Sequence, residues 1–158
     1  MPKKTPDQWF SEYGDSHQNA TNKLIHWICV PLIFLVILGL VWAIPTPTAF
    51  SEIHPYLNWA TLASLFIVGF YVHLSPRLAI GLTLFTIACY AVLAWYESLQ
   101  IASLALTSSV LFVILWIFQF IGHHIEGKKP SFFKDIQFLM IGPAWLMGFI
   151  YRRMGFRY

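Results

Sequence analysis

Between residues 24 and 44 the chain runs for about twenty residues that are apolar or aromatic apart from His26. At about 1.5 Å of rise per residue, a helix of that length covers a hydrocarbon core roughly 30 Å thick. Three further apolar runs follow, at 56–74, 78–95 and 101–121, divided by Pro45-Thr46-Pro47, by Ser75-Pro76 and by Glu97-Ser98-Leu99-Gln100. Proline lacks the helix donor and biases its predecessor toward extended backbone, so these breaks are natural helix ends. With 58% hydrophobic and 11% charged residues, the chain has too little polar surface to coat a water-soluble globule. The expectation is an all-α fold, an integral membrane four-helix bundle with short loops, forming one domain over 1–158.

The flanking segments read differently. Thr5-Pro6-Asp7-Gln8 carries the marks of a helix start: a capping hydroxyl, proline in the first turn and Gln8 three residues on. Trp9, Phe10 and Tyr13 fall on one side of that helix and Asp7, Glu12 and Asp15 keep the rest wet, which predicts an N-terminal interfacial helix. The lack of an unbroken apolar run in the first 25 residues argues against a cleavable signal. The last apolar run, 136–151, is shorter and interrupted by Gly142-Pro143, so a re-entrant or interfacial helix is expected. Cys29 and Cys89 lie far apart with no CxxC spacing, which offers no disulfide or zinc framework.

Basic residues set orientation. With four spans, Lys3, Lys4, Lys23, Arg77, Lys128, Lys129, Lys134, Arg152, Arg153 and Arg157 all fall on one side, which the bias of lysine and arginine toward short inner loops makes cytoplasmic. Both termini are then cytoplasmic, in the inner membrane of a bacterium or the endoplasmic reticulum of a eukaryote. The basic C-terminal end suits anionic lipid headgroups better than nucleic acid, and no glycine-rich phosphate loop is present.

The same topology sorts the histidines. His17, His26, His73, His123 and His124 fall on the basic side and His54 on the other. First and last helices of such a bundle can be neighbours, so His26 and His123 can meet at one depth. His17 and His26 are nine residues apart, on opposite faces of one straight helix, so a break at Asn19 to Thr21 is needed to turn His17 back. Asn22 shares a face with His26 and is placed to orient its imidazole. His123 and Glu126 share a face, whereas His124 points about a quarter-turn away.

Two or three neutral imidazoles, with or without a carboxylate such as Glu126, suit iron, copper or zinc. A lone interfacial histidine such as His54 or His73 needs no function. Two histidines can also serve as axial haem ligands, and a bundle that only sequesters acyl chains would need none. Gly69, Gly81 and Gly122 are expected to permit close helix contact.

Two stretches carry a family resemblance: His17-x4-Asn22-x3-His26 followed by Val30-Pro31, and Trp116-Ile117-Phe118-Gln119-Phe120-Ile121-Gly122-His123 through Glu126 and Pro130. In these the chain resembles the fungal 2-hydroxy fatty acid dioxygenases and their bacterial relatives, over almost its whole length. The resemblance implies a small multi-span enzyme that uses Fe(II) and O2 to shorten a long-chain 2-hydroxy fatty acid by one carbon, releasing CO2. It implies His17, His26 and His123 as metal ligands, with Asn22 and Gln119 in support. His124 has no counterpart, and the stretch from His123 to Glu126 is one residue shorter than in the fungal members. Lys23, Lys128 and Lys129 lie near enough to attract the substrate carboxylate.

Overall fold

The computed structural model describes residues 4–54, 56–127 and 132–158, with the backbone alone for 51 and 132–137. Lys3, Pro55, Lys128, Lys129 and Pro130 lie outside the described residues, as does the side chain of Lys134. The described residues form seven helices and no strand: α1 (Pro6–Gly14), α2 (Ala20–Trp42), α3 (Thr48–Ile53), α4 (Trp59–Leu74), α5 (Pro76–Leu99), α6 (Leu104–Glu126) and α7 (Phe132–Arg153).

Local chemistry sets the helix starts. At α1 the Gln8 amide donates to Thr5 Oγ1 at 3.3 Å and the Thr5 amide donates to Gln8 Oε1 at 2.8 Å, a reciprocal capping box. At α2 the Asn19 side chain accepts from the amides of Thr21 and Asn22. Ser75 ends α4 and caps α5, accepting from the Leu78 amide at 3.3 Å, so one residue makes the whole turn.

Among the described residues three helices, α2, α5 and α6, are long and apolar enough to cross a membrane, with 23, 24 and 23 residues. The run expected at 56–74 yields a shorter helix: the Asn58 side chain accepts from the Thr61 amide at 3.0 Å and starts α4 only at Trp59. Its 16 residues span about 24 Å. The outer faces are strongly apolar, with Phe66 77% and Leu65 66% exposed, a surface suited to lipid and costly in water.

The helix α2 packs along α6, and α4, α5 and α7 close around its other sides. Small residues set the closest approaches. A Cβ at Gly81 would come 2.8 Å from Met147 Sδ, so α5 and α7 touch there. Gly69, expected to do the same, has nothing within 4 Å of that position and faces open space.

The C-terminal run also differs from its expected interruption: α7 continues through Gly142-Pro143. Val30 and the Tyr13 hydroxyl pack over Gly142, where a Cβ would meet them at 3.0 and 3.2 Å, so the glycine serves packing against α2 and α1. Phe10 packs over Gly148 in the same way. Hence α1 buries Phe10 and Tyr13 against α7 in a cluster with Tyr71, Leu78, Leu82, Ile141 and Ala144. Arg77 donates to the Arg157 carbonyl at 3.4 Å, Arg152 bonds the Tyr158 hydroxyl, and that hydroxyl donates to Asp7 at 3.2 Å. These arginines therefore gather at the end of the molecule that carries α1.

Candidate metal centre

The turn between α1 and α2 determines where His17 goes. Its amide donates to the Gly14 carbonyl at 2.9 Å, and Asn19 then restarts the chain as α2 in a new direction. The His17 ring lies flat on Tyr13, centroids 4.2 Å apart and planes 10° from parallel, with Nδ1 2.6 Å from the Tyr13 carbonyl. His26, one turn after Asn22, places Nδ1 2.9 Å from the Asn22 carbonyl. A carbonyl only accepts, so both Nδ1 atoms carry the proton and both Nε2 atoms keep a lone pair.

The break brings three imidazoles together. Ring centroids are 4.1 Å apart for His17 and His26, 5.0 Å for His26 and His123, and 5.7 Å for His17 and His123. One nitrogen from each falls in a group whose members lie within 4.8 Å of one another. His17 and His26 are 3% and 2% exposed, and His123, on α6, is partly buried. His17 Nε2 is buried with no hydrogen-bond partner, an arrangement that costs about 1–3 kcal/mol unless something fills it. A divalent ion held by neutral imidazoles meets that need, so the donor set fits a metal.

The surrounding residues hold these rings. Gln119, buried one turn before His123, hydrogen-bonds His26, and since Nδ1 faces the Asn22 carbonyl this bond falls on Nε2, the nitrogen a metal would take over. Asn22, fully buried, was expected to orient His26 through its side chain, but its backbone carbonyl does so. The side chain instead donates to the Ser16 carbonyl at 3.0 Å and to Glu126 Oε2 at 2.9 Å. Glu126 also accepts from the amides of Gln18 at 2.7 Å and Asn19 at 2.9 Å. Gly122 lets α6 lie directly on Asn22, because a Cβ there would collide with Asn22 Oδ1 and come 3.5 Å from His26 Cε1.

The family described as 2-hydroxy-palmitic acid dioxygenase Mpo1-like matches residues 4–154, so the match spans both halves of this centre. The chain belongs to the Mpo1-like family. No curated protein and no solved structure matches it.

In this Mpo1-like chain the remaining candidates stand apart from the triad. His124 is exposed, and Glu126 lies outside the group of converging atoms, its oxygens turned to the α2 turn. Lys23 is partly buried beside the site and close enough to His17 to act on its charge. His54 lies past the far end of α2, beside a cavity of about 510 Å³ between α4 and α5. The stacking of Tyr13 and the reach of Glu126 were not anticipated. The one signal for the latter is an acid in the last turn of α6, where the helix dipole disfavours it.

Burial pushes the His17 imidazole down from 6.5 to about 4, so it is neutral and ready to ligate at physiological pH. In metal-free protein the unfolded chain takes up a proton at this residue below pH 6.5 while the folded chain does not until about 4. Stability is therefore fully present above pH 6.5 and falls as pH drops toward 4, by about 3 kcal/mol for this residue alone. Thermal unfolding of chelator-treated protein in detergent should show this decline across that window; a flat profile would contradict a buried neutral His17.

Proposed function

We propose that the protein is an Fe(II)-dependent dioxygenase that shortens a long-chain 2-hydroxy fatty acid by one carbon. The observation that carries this reading is the meeting of His17, His26 and His123, from a turn and two separate helices, in a chain of the Mpo1-like family. The reaction balances as 2-hydroxy acid plus O2 giving the acid one carbon shorter, CO2 and water. The two substrate carbons that are oxidised supply the electrons that O2 takes up, and an iron held by His17, His26 and His123 would bring substrate and O2 together and relay those electrons.

The chain's own residues supply the rest. The Tyr13 and Asn22 carbonyls fix the tautomers of His17 and His26, and Gln119 pairs the His26 Nε2 until a metal takes that nitrogen, after which its amide is left beside the site. His123 forms the accessible edge of the triad, so the carboxylate and 2-hydroxyl of the substrate approach from its side. Exposed Phe120, three residues before His123 on α6, continues into the lipid-facing surface, where the acyl tail lies. Lys23 attracts the carboxylate, and Lys128 and Lys129 follow α6 in sequence. Three donors crowded together present one face to a metal, whereas axial haem ligation uses residues on opposite sides of a porphyrin.

The arrangement is read as one membrane domain in which α4 joins α2, α5 and α6 in a four-helix bundle. The lysines and arginines and the triad are read as facing the cytoplasm, as the basic-residue bias requires. Anaerobically purified protein should contain about one iron per chain and consume O2 only when a long-chain 2-hydroxy fatty acid is added. Protein that binds no iron and shows no uptake would instead be a lipid-binding member of its family.

A further inference from the structure

His17 is the one member of the triad not carried on a helix. It sits in the turn between α1 and α2, and the two amides that follow it, of Gln18 and Asn19, both donate to Glu126. A third donor, Asn22 Nδ2, reaches the same carboxylate and also holds the Ser16 carbonyl on the other side of His17. Gln18 and the cap Asn19 are thus tied to the end of α6, 108 and 107 positions away in sequence. At α6 the carboxylate opposes the local helix dipole, while at the start of α2 it complements the dipole and meets unpaired amides. Its placement makes sense only as a link between the two elements.

We infer that Glu126 is a positioning residue that holds His17 against His26 and His123, so that removing it leaves the third ligand of the site loosely placed. This rests on the metal reading given above. With three donors on its two oxygens, Glu126 has its acceptor capacity directed at the turn rather than at the triad. Gln18 and Asn19 are exposed, so water replaces the lost acceptor, and Asn22 keeps its bond to Ser16. The variant therefore retains its helices and loosens only the turn.

The test is a double-mutant cycle read as the affinity of metal-free, detergent-solubilised protein for added Co(II), followed by its visible absorption under anaerobic conditions. Glu126→Ala should weaken Co(II) binding about 10–100-fold, the usual effect of losing a group that orients a ligand. It should shift the Co(II) bands toward those of His17→Ala. In the His17→Ala background the same change should have almost no effect, because the ligand it positions is already gone. Glu126→Gln, which keeps an acceptor oxygen without the charge, should fall between wild type and Glu126→Ala.

Losses that add in the double variant would make Glu126 a ligand in its own right and overturn the inference, as would an unchanged affinity in Glu126→Ala. Wild-type protein that takes up no Co(II) or Fe(II) would overturn the metal reading itself, an outcome distinct from either of these.

Discussion

Alanine at His26 is expected to strip the protein of iron and to reduce O2 uptake with a 2-hydroxy fatty acid to background, and alanine at His123 to do the same. Each change removes one of three donors, so the loss of metal affinity should exceed the roughly 100-fold upper range of supporting residues. The fold should survive. His26 sits at the start of α2 and His123 in the last turns of α6, away from the apolar contacts of Phe34, Leu38, Cys89 and Leu93 that hold the helices together farther down. Truncating His26 removes the side-chain donor to the Asn22 carbonyl, which keeps its helix bond, a cost of about 0.5–1.5 kcal/mol that lowers the unfolding temperature without abolishing helix content. His124→Ala is the control, since that ring is exposed and outside the cluster, and it should keep both iron and activity. Turnover retained in His26→Ala would remove the triad from the chemistry. Equal damage from His124→Ala would mean that the ligand on α6 had been misassigned between adjacent residues.

The parts of this architecture that sequence reveals are those written locally. The long apolar runs mark α2, α5 and α6, and the caps at Thr5, Asn19 and Ser75 fix where helices begin. The meeting of the histidines was also legible, because the nine-position spacing of His17 and His26 demands a break and Asn19 supplies one. What stayed hidden depends on partners distant in the chain. Gly69 and Gly122 look alike in sequence, each a glycine in an apolar helix, yet only Gly122 has a neighbour pressed against it. Glu126 resembled a fourth ligand because it shares a helix face with His123, whereas tertiary packing aims it at amides more than a hundred residues away. Likewise Gly142-Pro143 suggested a break, but the demand there is for close approach of Tyr13 and Val30, which a continuous helix meets.

Gly122→Ala should disable the centre while Gly69→Ala leaves it intact, a contrast that isolates packing from helix propensity. Both changes place the better helix former in an apolar helix, a gain of roughly 1 kcal/mol by propensity alone. At Gly69 nothing stands in the way of the new methyl. At Gly122 the methyl lands on Asn22 Oδ1, and Asn22 has little room to yield, being fully buried with Nδ2 held by the Ser16 carbonyl and Glu126. The helix α6 must then move away from α2, and because His123 is the next residue, the shift is delivered directly to the triad. Metal sites tolerate only about 0.2 Å in their ligand distances, so a displacement of several tenths of an ångström should cost about 10–100-fold in metal affinity, as misorienting a ligand does. The accompanying overpacking should lower stability by about 1–3 kcal/mol. Iron content, Co(II) affinity and unfolding temperature of the two variants measure these effects separately. If Gly122→Ala bound metal as tightly as wild type, the close approach of α6 to Asn22 would not be what sets the spacing of the three histidines.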